Sequence, residues 1–399
     1  MDKETFTKHY LKAKARTDKH WSEQHPYSDK IRGGLVGGAV GDALGYPIEF
    51  MSWKSIQKKY GADGIQKYDL DFETGTAVFS DDTQMSLFTA NGILIGETQG
   101  RLKGIQGAIS NYVYIAYQEW LKTQEWGADR NQAHHCWLFE IPELHRDRAP
   151  GTTCLSALRT GKMGSTDAPL NSSKGCGGVM RVAPLALRYK PGTDSDQRTL
   201  DENGAEIAAI THGHPLGYLP ATILTHIISL GVYGQDGLTL CEAVDEAWTT
   251  VNDLFKAKVP EEHLTAMEKL IRKAEALSVQ EGPDEEHIRA IGEGWTGDEA
   301  LAIAVYCSLR YPDDFSKALI AAVNHGGDSD STGAITGNIL GSWLGYEAIE
   351  EKWKINLEMK GVLLEMAGDL CRGYPTYGED HDDLDKEWLR KYCSGHARR

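Results

Sequence analysis

Apolar residues recur at three- and four-residue spacing through most of this 399-residue chain. Residues so spaced share one helix face. The pattern predicts helices over Met85–Ile95, Ile109–Lys122, Ala205–Ala209, Pro220–Val232, Cys241–Lys256, Glu262–Ala276, Asp298–Leu309, Ser316–Val323 and Gly333–Leu344. Turn signals separate them: Arg148–Thr153 (RAPGTT), Tyr189–Asp194 (YKPGTD), Gly234–Gly237 (GQDG) and Tyr311–Asp314. Period-two alternation is scarce, and only Gln66–Val78 suggests short extended pieces. No Gly/Ser or Pro-rich linker divides the chain. The expectation is an all-α protein with one large domain over residues 30–372, an N-terminal extension (1–29) and a C-terminal tail (373–399).

Composition narrows the class. There are 58 Asp+Glu against 42 Lys+Arg, a net charge of -16, and apolar residues make up 41%. That apolar share is enough for a core and excludes a disordered chain. The acidic balance argues against nucleic acid as a partner, which needs a cationic face. No stretch has the unbroken apolar length of a membrane span, so no membrane is expected. The N-terminus is polar, with no secretory apolar region. The seven cysteines are scattered and form no CxxC pair. Neither a disulfide framework nor a structural zinc site is indicated, and a cytoplasmic location is expected. Residues 1–30 hold seven Lys/Arg and five Asp/Glu. They read as one or two short helices ending at His25-Pro26, either packed on the domain or forming an arm for a partner. Tyr374–Arg399 reads as a solvated tail or a terminal helix.

Two acidic segments carry the candidate chemistry. In FSDDTQM (Phe79–Met85), Ser80 is a good N-cap and Asp81 and Asp82 fall in a first helical turn. In HGGDSDSTG (His325–Gly333), Asp328, Asp330 and Ser331 lie where a glycine turn runs into a helix. Capping would explain one such cluster. Two are harder to explain that way, because adjacent carboxylates repel. Mg²⁺ or Mn²⁺ resolves the repulsion by taking oxygen ligands. Ser80, Asp81, Asp82, Asp328, Asp330 and Ser331 would supply carboxylate and hydroxyl oxygens, and several carboxylates could bridge two ions that activate water.

Three look-alikes do not hold. DSDSTG starts like an EF-hand loop but has Ile339 at the closing Glu position. GEGWTG (Gly292–Gly297) follows no strand, so it is not a dinucleotide turn. His212 and His214 in THGH read as a packed or substrate-contacting turn more readily than as a metal pair.

The chain holds 43 glycines, and some are periodic. Gly33, Gly37, Gly41 and Gly45 recur every fourth residue, as do Gly333, Gly337, Gly341 and Gly345. Glycine inside a helix costs up to ~1 kcal/mol against alanine, so two ladders require a reason. Both are expected in the core, giving close helix crossings, the second directly behind Asp328 and Asp330; Gly341→Leu should be severely destabilising. A third group, Gly175–Arg181 (GCGGVMR), lacks the P-loop Lys yet can bring backbone N–H groups to a phosphate or ribose.

The ordered set GAVGDALGYPIE (Gly38–Glu49), FSDDTQM, RAPGTTCLSAL (Arg148–Leu158), GCGGVMRVAPL (Gly175–Leu185), THGHPLGY (Thr211–Tyr218), GEGWTGDEALAIAVYC (Gly292–Cys307) and NHGGDSDSTGAITGNILG (Asn324–Gly341) resembles the ADP-ribosylglycohydrolase family, in particular the dinitrogenase reductase-activating type and a bacterial member of it. The resemblance spans about residues 30–372. It implies an orthogonal multi-helix bundle with a binuclear Mg²⁺ or Mn²⁺ centre that hydrolyses the glycosidic bond between ADP-ribose and an acceptor, arginine-linked protein being favoured. By motif position, Ser80, Asp81, Asp82, Asp328, Asp330 and Ser331 would be the metal ligands. Glu49, Asp81 or Asp82 would carry proton transfer. Gly175, Cys176, Gly177, Gly178, Val179 and Met180 would hold the distal ribose and diphosphate, with His212 near the ligand. Ser80 and Ser331 replace threonines of some members, and Cys176 an asparagine.

Other roles remain open at this point. The positive N-terminal extension suits an immunity-type protein that blocks an ADP-ribosyltransferase toxin, alongside hydrolysis or without it. A metal-dependent phosphatase or nucleotide hydrolase would use the same carboxylates and release phosphate. A catalytically dead relative is disfavoured because all six candidate ligands are present.

Overall fold

The computed structural model describes residues 25–105, 107–125, 132–374 and 382–393, with side chains for all of these except 382–385. Among them the regular structure is helical, and no strand forms. The expected helices are present, several with longer ends. They are α3 (Asp81–Lys103), α4 (Ile109–Thr123), α7 (Asp194–Ala209), α8 (Pro215–Tyr233), α9 (Leu240–Phe255), α10 (Glu261–Ser278), α12 (Gly297–Arg310), α13 (Phe315–Val323) and α14 (Ser329–Leu344). Between and around them lie α1 (Ser28–Gly45), α2 (Trp53–Tyr60), α5 (Thr152–Arg159), α6 (Ala183–Arg188), α11 (Asp284–Ile291), α15 (Glu351–Lys354), α16 (Lys360–Arg372) and α17 (Asp382–Tyr392). The Gln66–Val78 stretch contributes one bridge, in which Ala77 N–H donates to Asn356 O at 2.7 Å and Glu358 N–H to Ala77 O at 3.0 Å.

The centre of the molecule is the antiparallel pair α1 and α14, the most extensive helix contact in the fold. The two glycine ladders meet face to face: Gly33 on Gly341, Gly37 on Gly337, Gly41 on Gly333, and Gly45 on the Ser329 backbone. A Cβ at Gly341 would fall 2.5 Å from the Gly33 carbonyl carbon, and one at Gly337 2.5 Å from that of Gly37. Backbone-to-backbone approach of this kind is possible only without side chains. Asn338 Nδ2 adds a hydrogen bond across the crossing to Gly34 O, at 2.8 Å. Nearly every residue of both helices is buried.

The remaining helices wrap this pair. The apolar α8 packs against α7, α9, α12 and α14. The end of the chain docks as well. In α17, Trp388 and Tyr392 are buried, Trp388 Nε1 donates to Thr98 Oγ1 at 2.9 Å, and Lys391 and Tyr392 both donate to Asp369. Of the two readings for this end of the chain, a solvated tail or a terminal helix, residues 386–392 therefore fit the helix, packed on the domain. The N-terminal extension lies, up to residue 24, outside the described residues. All seven cysteines are free thiols.

Candidate active site

Two helix N-termini converge at one end of the central pair. Helix α3 starts after Ser80, whose Oγ accepts from Asp82 N–H at 3.2 Å. Helix α14 starts after Asp328, whose Oδ1 accepts from Ser331 N–H at 3.3 Å. Asp42, near the end of α1, joins the two. Its Oδ1 accepts from Ser80 N–H at 2.8 Å, and its Oδ2 from Thr83 N–H at 2.9 Å and Thr83 Oγ1 at 2.5 Å. Because the ladder fixes α1 on α14, the Asp42 cap fixes α3 relative to α14 too. The position of Asp81 is set by a neighbouring loop: its N–H donates to Arg148 O at 3.0 Å, and its Oδ2 accepts from Gly151 N–H at 3.3 Å. That loop is held by the buried Arg148–Glu358 ion pair, at 2.9 Å. RAPGTT is thus part of the site wall as well as a turn.

All six predicted ligand residues, Ser80, Asp81, Asp82, Asp328, Asp330 and Ser331, are buried together with Asp42. Glu49 arrives from the turn that follows α1. One oxygen each from Glu49, Asp328 and Asp330 lie within 4.8 Å of one another. Six carboxyls in so little solvent cannot all ionise unaided. Burial first, then repulsion from Asp330, pushes Asp42 up to about 7 and Glu49 up to about 10. The same two causes hold Asp81, Asp82 and Asp328 well above the carboxylate range. Burial raises Asp330 as well, offset by hydrogen bonds. Asp82 Oδ2 and Glu49 Oε2 are buried acceptors with no hydrogen-bond partner among the described residues. Orphaned carboxylate oxygens in an all-oxygen donor set fit a hard divalent cation. A second cluster among the described residues, Cys241 with Asp245 and Glu275, has Cys241 and Asp245 exposed, and Arg272 already donates to both carboxylates. Among the described residues neither His212 nor His214 belongs to a ligand cluster. His214 caps α8, its Nδ1 accepting from Leu216 N–H at 3.0 Å.

The glycine turn lies against the acidic cluster. Cys176 Sγ donates to Asp328 Oδ2 at 2.7 Å. The turn is pinned to GEGWTG through Cys176 N–H to Trp295 O at 3.2 Å and Gly297 N–H to Lys174 O at 2.8 Å. GEGWTG also holds the second acidic motif, since Asp328 N–H donates to Glu293 O at 2.8 Å. The predicted binding segment divides by burial. Gly175 and Cys176 are half-exposed, whereas Gly177, Gly178, Val179 and Met180 are buried, the last two as core residues. A Cβ at Gly178 would sit 2.6 Å from Gly217 O, so this glycine serves packing. His212 is buried beside Gly175 and Gly177, and burial with the nearby Arg181 cation pushes its pKa down to about 3.

One aromatic pair at the site went unforeseen. Phe50, next to Glu49, is 72% exposed at φ +62°, and its ring stacks on Trp295 with centroids 5.4 Å apart. Ala149, next to Arg148, also has positive φ. Such backbone costs non-glycine residues about 1 kcal/mol or more and clusters at functional loops. Periodicity carries no signal for either.

The family model for ADP-ribosylglycohydrolase matches residues 23–380. The chain belongs to the ADP-ribosylglycohydrolase family. Its activity is accordingly that of a hydrolase of ADP-ribosyl bonds. An uncharacterised protein of Archaeoglobus fulgidus is 28% identical over 345 residues, 86% of this chain and 96% of that protein. The ADP-ribosyl-[dinitrogen reductase] glycohydrolase of Rhodospirillum rubrum is 25% identical over 334 residues, 83% of this chain and 91% of that one. A solved ADP-ribosylglycohydrolase-related protein complex shares the fold, with TM-score 0.58 and 20% identity over 87% of this chain and 98% of its own.

Proposed function

We propose that this ADP-ribosylglycohydrolase is Mg²⁺-dependent, uses two ions, and cleaves ADP-ribose from a modified protein side chain, arginine-linked in the first instance. The observation that carries the reading is the buried carboxylate cluster with two unpartnered oxygens, set beside a half-exposed glycine turn. The Rhodospirillum rubrum relative, whose name gives a modified protein as its substrate, supports a protein acceptor. A cationic guanidinium leaving group also suits an acidic surface of net charge -16.

Asp81, Asp82, Asp328 and Asp330 would hold the ions, with Ser80 and Ser331 as hydroxyl donors. When bound, the ions supply charge for the ribose hydroxyls and lower the pKa of a water. Gly175 and Cys176 offer the open face for ribose and diphosphate, while the buried Gly177–Met180 portion holds that face in place. Glu49 is the one carboxyl of the six only half-buried, so it can exchange protons with solvent. That suits it to move a proton between the attacking water and the leaving group.

The test is a panel of defined ADP-ribosyl linkages incubated with the protein and Mg²⁺, each scored for free ADP-ribose and for phosphate. Free ADP-ribose from the arginine linkage supports the proposal. Phosphate release alone would transfer the site to a phosphatase.

A further inference from the structure

Arg181 closes the GCGGVMR segment and is fully buried. Among the described residues no carboxylate lies within ion-pair distance of it. Its guanidinium stacks over the Tyr117 ring at 4.5 Å. Nη1 lies 3.5 Å from Met85 Sδ and 3.4 Å from Cys154 Sγ. Nη2 donates to Ile207 O at 3.4 Å and, in the shortest contact, to Thr211 Oγ1 at 2.6 Å. Thr211 Oγ1 in turn lies 2.9 Å from His212 Nδ1. A buried unpaired cation costs several kcal/mol, so its retention needs a reason beyond packing.

The chain of contacts decides where the protons sit. Guanidinium can only donate, so Thr211 Oγ1 accepts from Arg181. The hydroxyl proton then has two outlets, the imidazole Nδ1 and the Cys154 thiol, a weak acceptor. Donation to Nδ1 is the stronger bond and leaves Nδ1 without a proton. The guanidinium charge works in the same direction, since a proton on Nδ1 would stand on the side facing Arg181. The imidazole proton is therefore on Nε2. That nitrogen has no hydrogen-bond partner among the described residues. It faces the glycine turn: a Cβ at Gly175 would lie 3.2 Å from Nε2, and one at Gly177 3.3 Å. The two glycines leave that nitrogen uncrowded.

We propose that Arg181 is a positioning residue which, through Thr211, locks His212 as its Nε2–H tautomer and so presents a hydrogen-bond donor to an oxyanion of the nucleotide diphosphate at the Gly175–Gly178 turn. The inference rests on the reading of that turn as the diphosphate site. With the other tautomer, the same ring would present a lone pair and repel a phosphate oxygen.

The experiment combines long-range ¹H–¹⁵N NMR of histidine-labelled protein with calorimetric ADP-ribose binding, on wild type, Thr211→Ser and Thr211→Val. Wild type and Thr211→Ser should show His212 with Nε2 protonated and Nδ1 bare, and should bind ADP-ribose alike. Thr211→Val, which keeps shape but removes the hydroxyl, should lose the single tautomer and bind about tenfold more weakly. A wild-type His212 protonated on Nδ1 overturns the relay, and this needs no variant to fold. So does a folded Thr211→Val protein that binds ADP-ribose as tightly as wild type. Wild-type protein that binds no ADP-ribose refutes the reading of the turn instead, and the tautomer spectrum still decides the relay.

Discussion

Replacing Gly337 by alanine adds one methyl group at the middle of the α1–α14 crossing. In an isolated helix the change would stabilise by up to about 1 kcal/mol. Here the new Cβ would fall 2.5 Å from the Gly37 carbonyl carbon and 3.0 Å from Gly38 N, and both are backbone atoms of a helix that cannot rotate aside. The two helices must separate along the whole ladder. Overpacking costs about 1–3 kcal/mol when side chains can adjust, and a backbone clash lies at or above the upper end. The net expectation is a loss of about 2 kcal/mol or more after the propensity gain. Gly368 is the control. It lies in the interior of α16 with nothing within 4 Å of its Cβ position, so Gly368→Ala should gain about 0.5–1 kcal/mol. The assay is urea unfolding of both variants beside wild type. The crossing also sets the distance between Asp42 on α1 and Asp330 on α14, so Gly337→Ala should need more Mg²⁺ for half-maximal hydrolysis. Equal stabilisation by both substitutions would refute the close-crossing account.

Further outcomes follow from the site. In chelator, the raised Asp42 and Glu49 carboxyls keep protons that the unfolded chain releases near pH ~4. The stability they confer is full below that pH and is lost as pH rises through about 7 for Asp42 and towards about 10 for Glu49. The urea midpoint of the chelated protein should therefore fall on going from acid to neutral pH, and added Mg²⁺ should flatten the decline. Asp82→Asn replaces a carboxyl that the chelated site must keep protonated against the solvent with an amide that needs no proton, so its chelated form should be more stable than wild type at neutral pH. Its hydrolysis should drop about a hundredfold or more, equivalent to ~3 kcal/mol of transition-state stabilisation. Arg148→Ala leaves Glu358 buried and unpaired and should cost about 3 kcal/mol, with hydrolysis falling as the backbone bond from Arg148 to Asp81 loosens. Trp388→Ala should cost about 3 kcal/mol in urea unfolding, which a solvated tail would not.

Legibility followed the kind of helix. Amphipathic helices such as α9 and α10 announce themselves by an apolar stripe. The nearly all-buried α1 lacks one, and only its glycine ladder marked it. The ladders reveal which faces must be bare, but a sequence carries no record of which face meets which, so their mutual contact emerged only in the fold. The six oxygen donors stood out because their four aspartates, Asp81 with Asp82 and Asp328 with Asp330, place like charges close together beside Ser80 and Ser331. Glu49 came through family resemblance, since one glutamate after a proline turn has no pattern of its own. The capping of α3 by Asp42 and the Cys176–Asp328 hydrogen bond join residues distant in sequence. Arg181 closes the GCGGVMR group in the sequence, and its full burial emerged only in the fold. In α17 the preceding acidic run concealed that Trp388 and Tyr392 were there to be buried.

The most direct measurement of the central claim is the release of free ADP-ribose from an arginine-ADP-ribosylated protein, followed by mass spectrometry with Mg²⁺ and again in excess chelator. The account predicts stoichiometric free ADP-ribose and unmodified arginine with Mg²⁺, and neither in chelator or with Asp330→Asn. Undiminished release in chelator would contradict it.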